Sequence, residues 1–167
     1  PLVAQPSGRL MKKENFVSNV LGIIRRLNID PGDIELEITE SVFIDDFDEM
    51  IEKISALREY GIRISLDDFG MGYSSLSYLK NLPIDTLKID KSFIDTAITD
   101  NSTGIITESV VNMVKKLGLE TIAEGVENED QMEFLKRISC DNIQGFLLGK
   151  PMPSEQFEAL IAEDTGR

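Results

Sequence analysis

Two carboxylates, Asp67 and Asp68, stand side by side in the run "ISLDDFGMGYSS" (64–75), where a strand-like stretch meets a loop with two glycines. Ionised and close together, they would repel each other. A divalent cation between them removes that repulsion and favours the charged forms. Similar residues recur where other strand-like stretches end: Glu37 and Glu40, Lys88 and Asp90, Glu124 and Glu127, then Gln144. The chain has no histidine and one cysteine, Cys140. Oxygen ligands of this kind suit Mg2+ or Mn2+ and not Zn2+, and His-based triads are excluded. Two such cations about 3.5–4 Å apart would polarise a phosphodiester and generate hydroxide. Lys88 would stabilise developing charge or help position the attacking water.

Each residue has an ordinary explanation when taken alone. An Asp-Asp pair is usually a turn or a helix cap. Lys88 could snorkel at the surface, and Glu124 and Glu127 could be acids at a helix N-terminus. Gly70 and Gly72 could be plain turn glycines. Their joint placement at successive strand ends carries the weight, because in a parallel β/α fold those ends share one face. Neighbouring strand residues point to opposite faces. Asp67 and Asp68 can therefore converge only where the strand breaks, and Phe69-Gly70 is expected to supply the break.

The elements that would position these residues alternate from residue 34 onward. Strands are expected over "IELEIT" (34–39), "IRISLD" (62–67), "TLKID" (86–90), "ETIAEGV" (120–126) and "NIQGFLL" (142–148). Apolar spacing predicts helices over 46–60 and 103–117, closed by Gly61 and Gly118, and a short helix around 74–81. Asn128 with Gln131 reads as a capping box opening another helix, and Ser154 after Pro153 starts the last. Residues 13–27 form one more helix, and "PLVAQ" could end a sixth strand. The fold class is thus α/β, a β/α barrel or open sheet with about five or six parallel strands.

Composition narrows the function. A chain of 167 residues with 41% hydrophobic content is one globular domain. Its formal net charge of −13 argues against duplex DNA or RNA as a partner. The lone cysteine fits a reducing cytoplasm. No apolar run approaches the length of a membrane span. A start at Pro1 without Met is expected of a processed chain or of a piece of something longer, and residues 1–12 could be disordered or foreign to the domain.

The stretches "LEITES" (36–41), "DDFGMGYSSL" (67–76), "LKID" (87–90), "AEGVE" (123–127) and "QGFLLGKP" (144–151) resemble, in that order, the EAL-domain family. These are phosphodiesterases that linearise the bacterial messenger cyclic di-GMP. The resemblance implies a modified TIM barrel with one antiparallel strand. It also implies roles. Glu37 would ligate one metal, Asp67 would bridge both, and Asp68 and Glu124 would hold the second. Lys88 would bind or activate the water, with Glu127 and Gln144 supporting it. Glu40 would anchor the loop at 69–75 through a loop hydroxyl, tying metal binding to dimerisation.

The departures are equally specific. No segment matches the family's first two strands, including the Glu-Ala-Leu strand that supplies a metal ligand. Gln5 stands where the family has a ligand Asn, and its longer side chain would misplace the carbonyl. The expectation is a cyclic di-GMP phosphodiesterase domain, truncated at its N-terminus and impaired, in a bacterial cytoplasmic protein with sensor regions elsewhere. The alternative is a non-catalytic module acting through self-association or a protein partner. A weaker third reading is an unrelated barrel enzyme of sugar or acid metabolism. Five or six strands cannot close an eight-stranded barrel. Raw edges and an exposed apolar interior are therefore expected, covered by homodimerisation or strand exchange.

Overall fold

The computed structural model describes residues 2–43, 46–70 and 79–164. Six strands form one sheet in chain order: β1 (Leu2–Ala4), β2 (Ile34–Thr39), β3 (Arg63–Phe69), β4 (Thr86–Ile89), β5 (Glu120–Ala123) and β6 (Asn142–Ile143). Every neighbouring pair is parallel. The helices are α1 (Gly8–Met11), α2 (Phe16–Leu27), α3 (Phe47–Glu59), α4 (Lys91–Ala97), α5 (Asn101–Lys116), α6 (Glu129–Arg137) and α7 (Ser154–Asp164). Sequential parallel order is that of a β/α barrel, here with six strands of the eight that closure needs.

Strand alternation sorts the side chains. Leu36, Ile38, Ile64, Leu66, Leu87, Ile89 and Ala123 are buried towards the helices. There they join Ile24 of α2, Ile54 and Leu57 of α3, Ile94 of α4 and Val111 and Val114 of α5 in one core. The alternate residues Glu35, Glu37, Arg63, Ser65, Asp67, Thr86 and Lys88 line the other face. The expected apolar interior is therefore corrected: apart from Val3 and Ile122, in register with Glu35 and Lys88, the strand residues on the face away from the helices are mostly polar. Exposed apolar side chains include Leu2 and Val3 on β1 and Phe157, Leu160 and Ile161 on α7, besides others such as Ile23 and Leu27 on α2 and Ile105 and Ile106 on α5.

Several boundaries move for local reasons. A sixth strand does form over Leu2–Ala4, and Met11 of α1 is fully buried. β5 stops at Ala123, because Gly125 turns the chain with φ +68°. β6 stops at Ile143, because Gly145 lies against the backbone of Val126, where a Cβ would come within 2.1 Å of the carbonyl oxygen. The main chain of Val126 pairs with Gln144 and Leu147 instead. The α4 helix was not foreseen; Asp90 caps it by accepting from Ser92 N. Gly61, Gly118 and the Asn128–Gln131 capping box behave as expected. The helix expected around 74–81 falls largely outside the described residues.

A buried lysine locks the N-terminal turn to α3. Lys53 is 9% exposed, donates to the carbonyls of Met11 (2.9 Å) and Lys13 (3.2 Å), and pairs with Glu49 at 2.5 Å. Lys53→Met strands both carbonyls. It should lower stability by about 1–3 kcal/mol, read as a lower urea midpoint at unchanged slope.

Candidate active site

β4 delivers Lys88 into the polar face, where it is 3% exposed. Its Nζ hydrogen-bonds Glu37 Oε1 from β2, lies 2.6 Å from Glu124 Oε1 just beyond β5, and 3.3 Å from Asp67 Oδ1 on β3. One ammonium thus gathers carboxylates from three flanking elements. Burial works against the Lys88 charge, but hydrogen bonds to Glu124 and Glu37 outweigh it and raise the pKa. Burial pushes Glu124 up, opposed by Lys88 and assisted by the like charges of Asp67 and Glu37.

Asp67 is held from a second side. Gln5, just past β1, donates its Nε2 to Asp67 Oδ2 at 2.7 Å. The other oxygen, Oδ1, is buried and has no hydrogen-bond donor, so its contact with Lys88 is one of charge alone. Gln5 therefore presents an amide nitrogen, and not a carbonyl, to the acid.

Asp68 escapes the strand's alternation through a bulge. Its φ is +57°, and the pairing with β4 slips between Leu66 and Phe69. A bulge inserts one unpaired residue and bends the strand, and Asp tolerates the left-handed conformation better than most residues. The break thus comes at Asp68 itself, ahead of the expected Phe69-Gly70 step. Partial desolvation, then the charges of Asp67 and Asp90, push the Asp68 carboxyl up.

The remaining expected residues stand apart from Lys88. Glu127 pairs with Lys91, and both side chains are nearly half exposed. Gln144 exposes its side chain, and its main chain bonds Ala123 and Val126. Glu40 opens a 3-10 turn over 40–43; most of the loop expected to meet it, 71–75, lies outside the described residues. Sequence reasoning missed Gln5 as a donor and Lys91 as the partner of Glu127. The tripeptide Glu158-Ala159-Leu160 does occur in the chain, but on α7, an exposed helix, and not on a strand.

Among the described residues, no three acids form a ready cation cage, because the ammonium of Lys88 sits at their meeting point. The donor set still fits a hard cation. Three carboxylates converge on one nitrogen, and a buried Asp67 oxygen lacks a donor.

Comparison with known proteins identifies the family. The EAL domain family matches residues 2–151, and the chain belongs to that family. The chain is 43% identical over 157 residues to the signaling protein YkoW of Bacillus subtilis, covering 94% of the chain and 20% of that protein. It is 44% identical over 147 residues to the bifunctional diguanylate cyclase/cyclic di-GMP phosphodiesterase MucR of Pseudomonas aeruginosa, covering 88% and 22% respectively. A solved MucR phosphodiesterase in complex with c-di-GMP superposes with a TM-score of 0.87 at 41% identity, covering 93% of this chain and 63% of that one. A manganese and cyclic di-GMP complex of Klebsiella pneumoniae BlrP1 gives a TM-score of 0.80 at 29% identity, covering 87% and 38%. The chain thus spans about a fifth of the length of these curated relatives.

Removing the central ammonium tests the cluster directly. Lys88→Met leaves three acids around an apolar side chain and should cost about 3–5 kcal/mol in metal-free buffer. Thermal melts should show Mn2+ restoring part of that loss, since a cation that binds only the folded form stabilises it.

Proposed function

We propose that this chain is a cyclic di-GMP phosphodiesterase domain that uses Mg2+ or Mn2+ and works slowly in its present form. The observation that carries this reading is the convergence of Glu37, Asp67 and Glu124 on Lys88, in a chain of the EAL family. Glu37 and Asp67 would hold one cation; Asp67, Asp68 and Glu124 would hold the other. Bound cations would polarise the phosphodiester and lower the pKa of a water. Lys88, released from part of its carboxylate contacts, would hold that water by hydrogen bond. Glu127 and Gln144 would support it from the loops after β5 and β6, and Glu40 would steady the loop after β3.

Impairment follows from the donors. Gln5 turns its nitrogen to Asp67, which leaves the Glu37 side short of an oxygen. No strand supplies the Glu-Ala-Leu glutamate among the described residues. Hydrolysis of cyclic di-GMP to the linear dinucleotide, followed with added Mn2+, should run well below about 1 s−1, the low end of ordinary enzymes. Turnover at that rate would remove the claim of impairment, and no cation-dependent hydrolysis at all would remove the activity. Gln5→Asn shortens the side chain and should tighten Mn2+ binding by about tenfold, within the range for ligand-shell changes. Calorimetric titration checks it.

A second reading is a non-catalytic module that acts by self-association. The exposed apolar flanks on β1 and α7 favour it, because such patches are interaction sites. Sedimentation should show a concentration-dependent homodimer or strand-exchanged oligomer; a monomer at high concentration would count against it. The chain would act in the bacterial cytoplasm as part of a longer signalling protein, as the lengths of its relatives support. No described helix is long and apolar enough to cross a membrane. The reading as an unrelated barrel enzyme falls with the family match.

A further inference from the structure

The short helix α4 follows Lys88 and Asp90 directly and reaches both neighbouring loops with side chains of its first turn. Gly70, after Asp67 and Asp68, has φ +101°, and a Cβ there would lie 2.3 Å from Cε2 of Phe93. Gly125, after Glu124, has φ +68°, and a Cβ there would lie 2.4 Å from Cγ of Lys91. The Phe93 ring therefore rests on one glycine and the aliphatic stem of Lys91 on the other. The Lys91 head pairs with Glu127, two residues past Gly125. On the same side Asp95 accepts from Gln131 Nε2 at 3.1 Å, while Gln131 Oε1 accepts from Glu127 N at 2.7 Å and Asn128 N at 3.2 Å.

We infer that α4 is a two-armed bracket, with Phe93 and Lys91 as positioning residues that keep Asp67 on one side, and Glu124 on the other, aimed at Lys88. Both loops are fixed to the strand that carries the lysine, so the carboxylates hold their spacing as one body. The stem of Lys91 does more of this than its charge, because an ion pair between two exposed groups contributes little. Its role in cation binding rests on the phosphodiesterase reading; its role in loop order does not.

Amide hydrogen exchange of the metal-free chain tests the bracket. Phe93→Ala should speed exchange at residues 66–70, and Lys91→Ala at 123–127, each by about tenfold or more through local opening. Exchange within α2 should stay at the wild-type rate. Lys91→Met keeps the stem and drops the charge, and should restore the wild-type pattern, as Phe93→Leu should in large part. Alanine variants with wild-type loops, or with α2 accelerated equally, would overturn the bracket, and failure of the Met variant would overturn the stem's part. Mn2+ affinity, read from the EPR signal of the free ion, should fall about 10–100-fold in the alanine variants and recover in Lys91→Met, as for residues that orient ligands. If the wild-type chain takes up no Mn2+, the phosphodiesterase reading falls, and the bracket is judged on exchange alone.

Discussion

A buried ammonium encircled by carboxylates is the constraint on which the polar half of this domain depends. Lys88 and its acids come from neighbouring strands and the loops beyond them, so they meet only when the strands are in register. Lose the lysine, and like charges face one another in a poorly hydrated space. Lose an acid, and the lysine is buried without its full complement. A burial this expensive is sustained only when geometry and partners are nearly complete, which ties the chemistry of the rim to the pairing of the sheet.

The other half of the domain is conventional, and that allows the first half to be unusual. Branched apolar residues on the alternate positions of β2, β3 and β4 pack against α2, α3, α4 and α5 in one continuous core. Stability drawn from that side leaves the opposite face free to carry charge. The arrangement also explains why a sheet of six strands need not bare a greasy interior. Uncovered apolar side chains remain on β1 and α7 and also on α2 and α5, among them Ile23, Leu27, Ile105 and Ile106.

Much of this was legible in the sequence, and the misses share a cause. Periodicity and caps found the strands at 34, 63, 86 and 120 and the ends of α3 and α5, because those signals are local. The ends of β5 and β6 escaped, since Gly145 stops its strand by meeting the backbone of Val126, a contact made across the fold. The acids that meet Lys88 were expected at the ends of their strands. Their focus was not, because nothing local says that Lys88 is buried or that Glu127 turns away to Lys91. Gln5 was recognised as a misfit, but the direction of its amide depends on an aspartate 62 residues away. The α4 helix, too short for periodicity, proved to touch both sides of the site.

The bulge at Asp68 leaves a mark on how this protein can vary. A left-handed backbone is comfortable for glycine and tolerable for few other residues. Replacing Asp68 with glycine would relax the chain while deleting an acid from the rim. Backbone ease and the cation-holding role proposed for this acid therefore pull the position in opposite directions, the usual trade-off between robustness and activity. In a lineage released from selection for hydrolysis, this carboxylate should be among the first to disappear, and the fold would be the firmer for it.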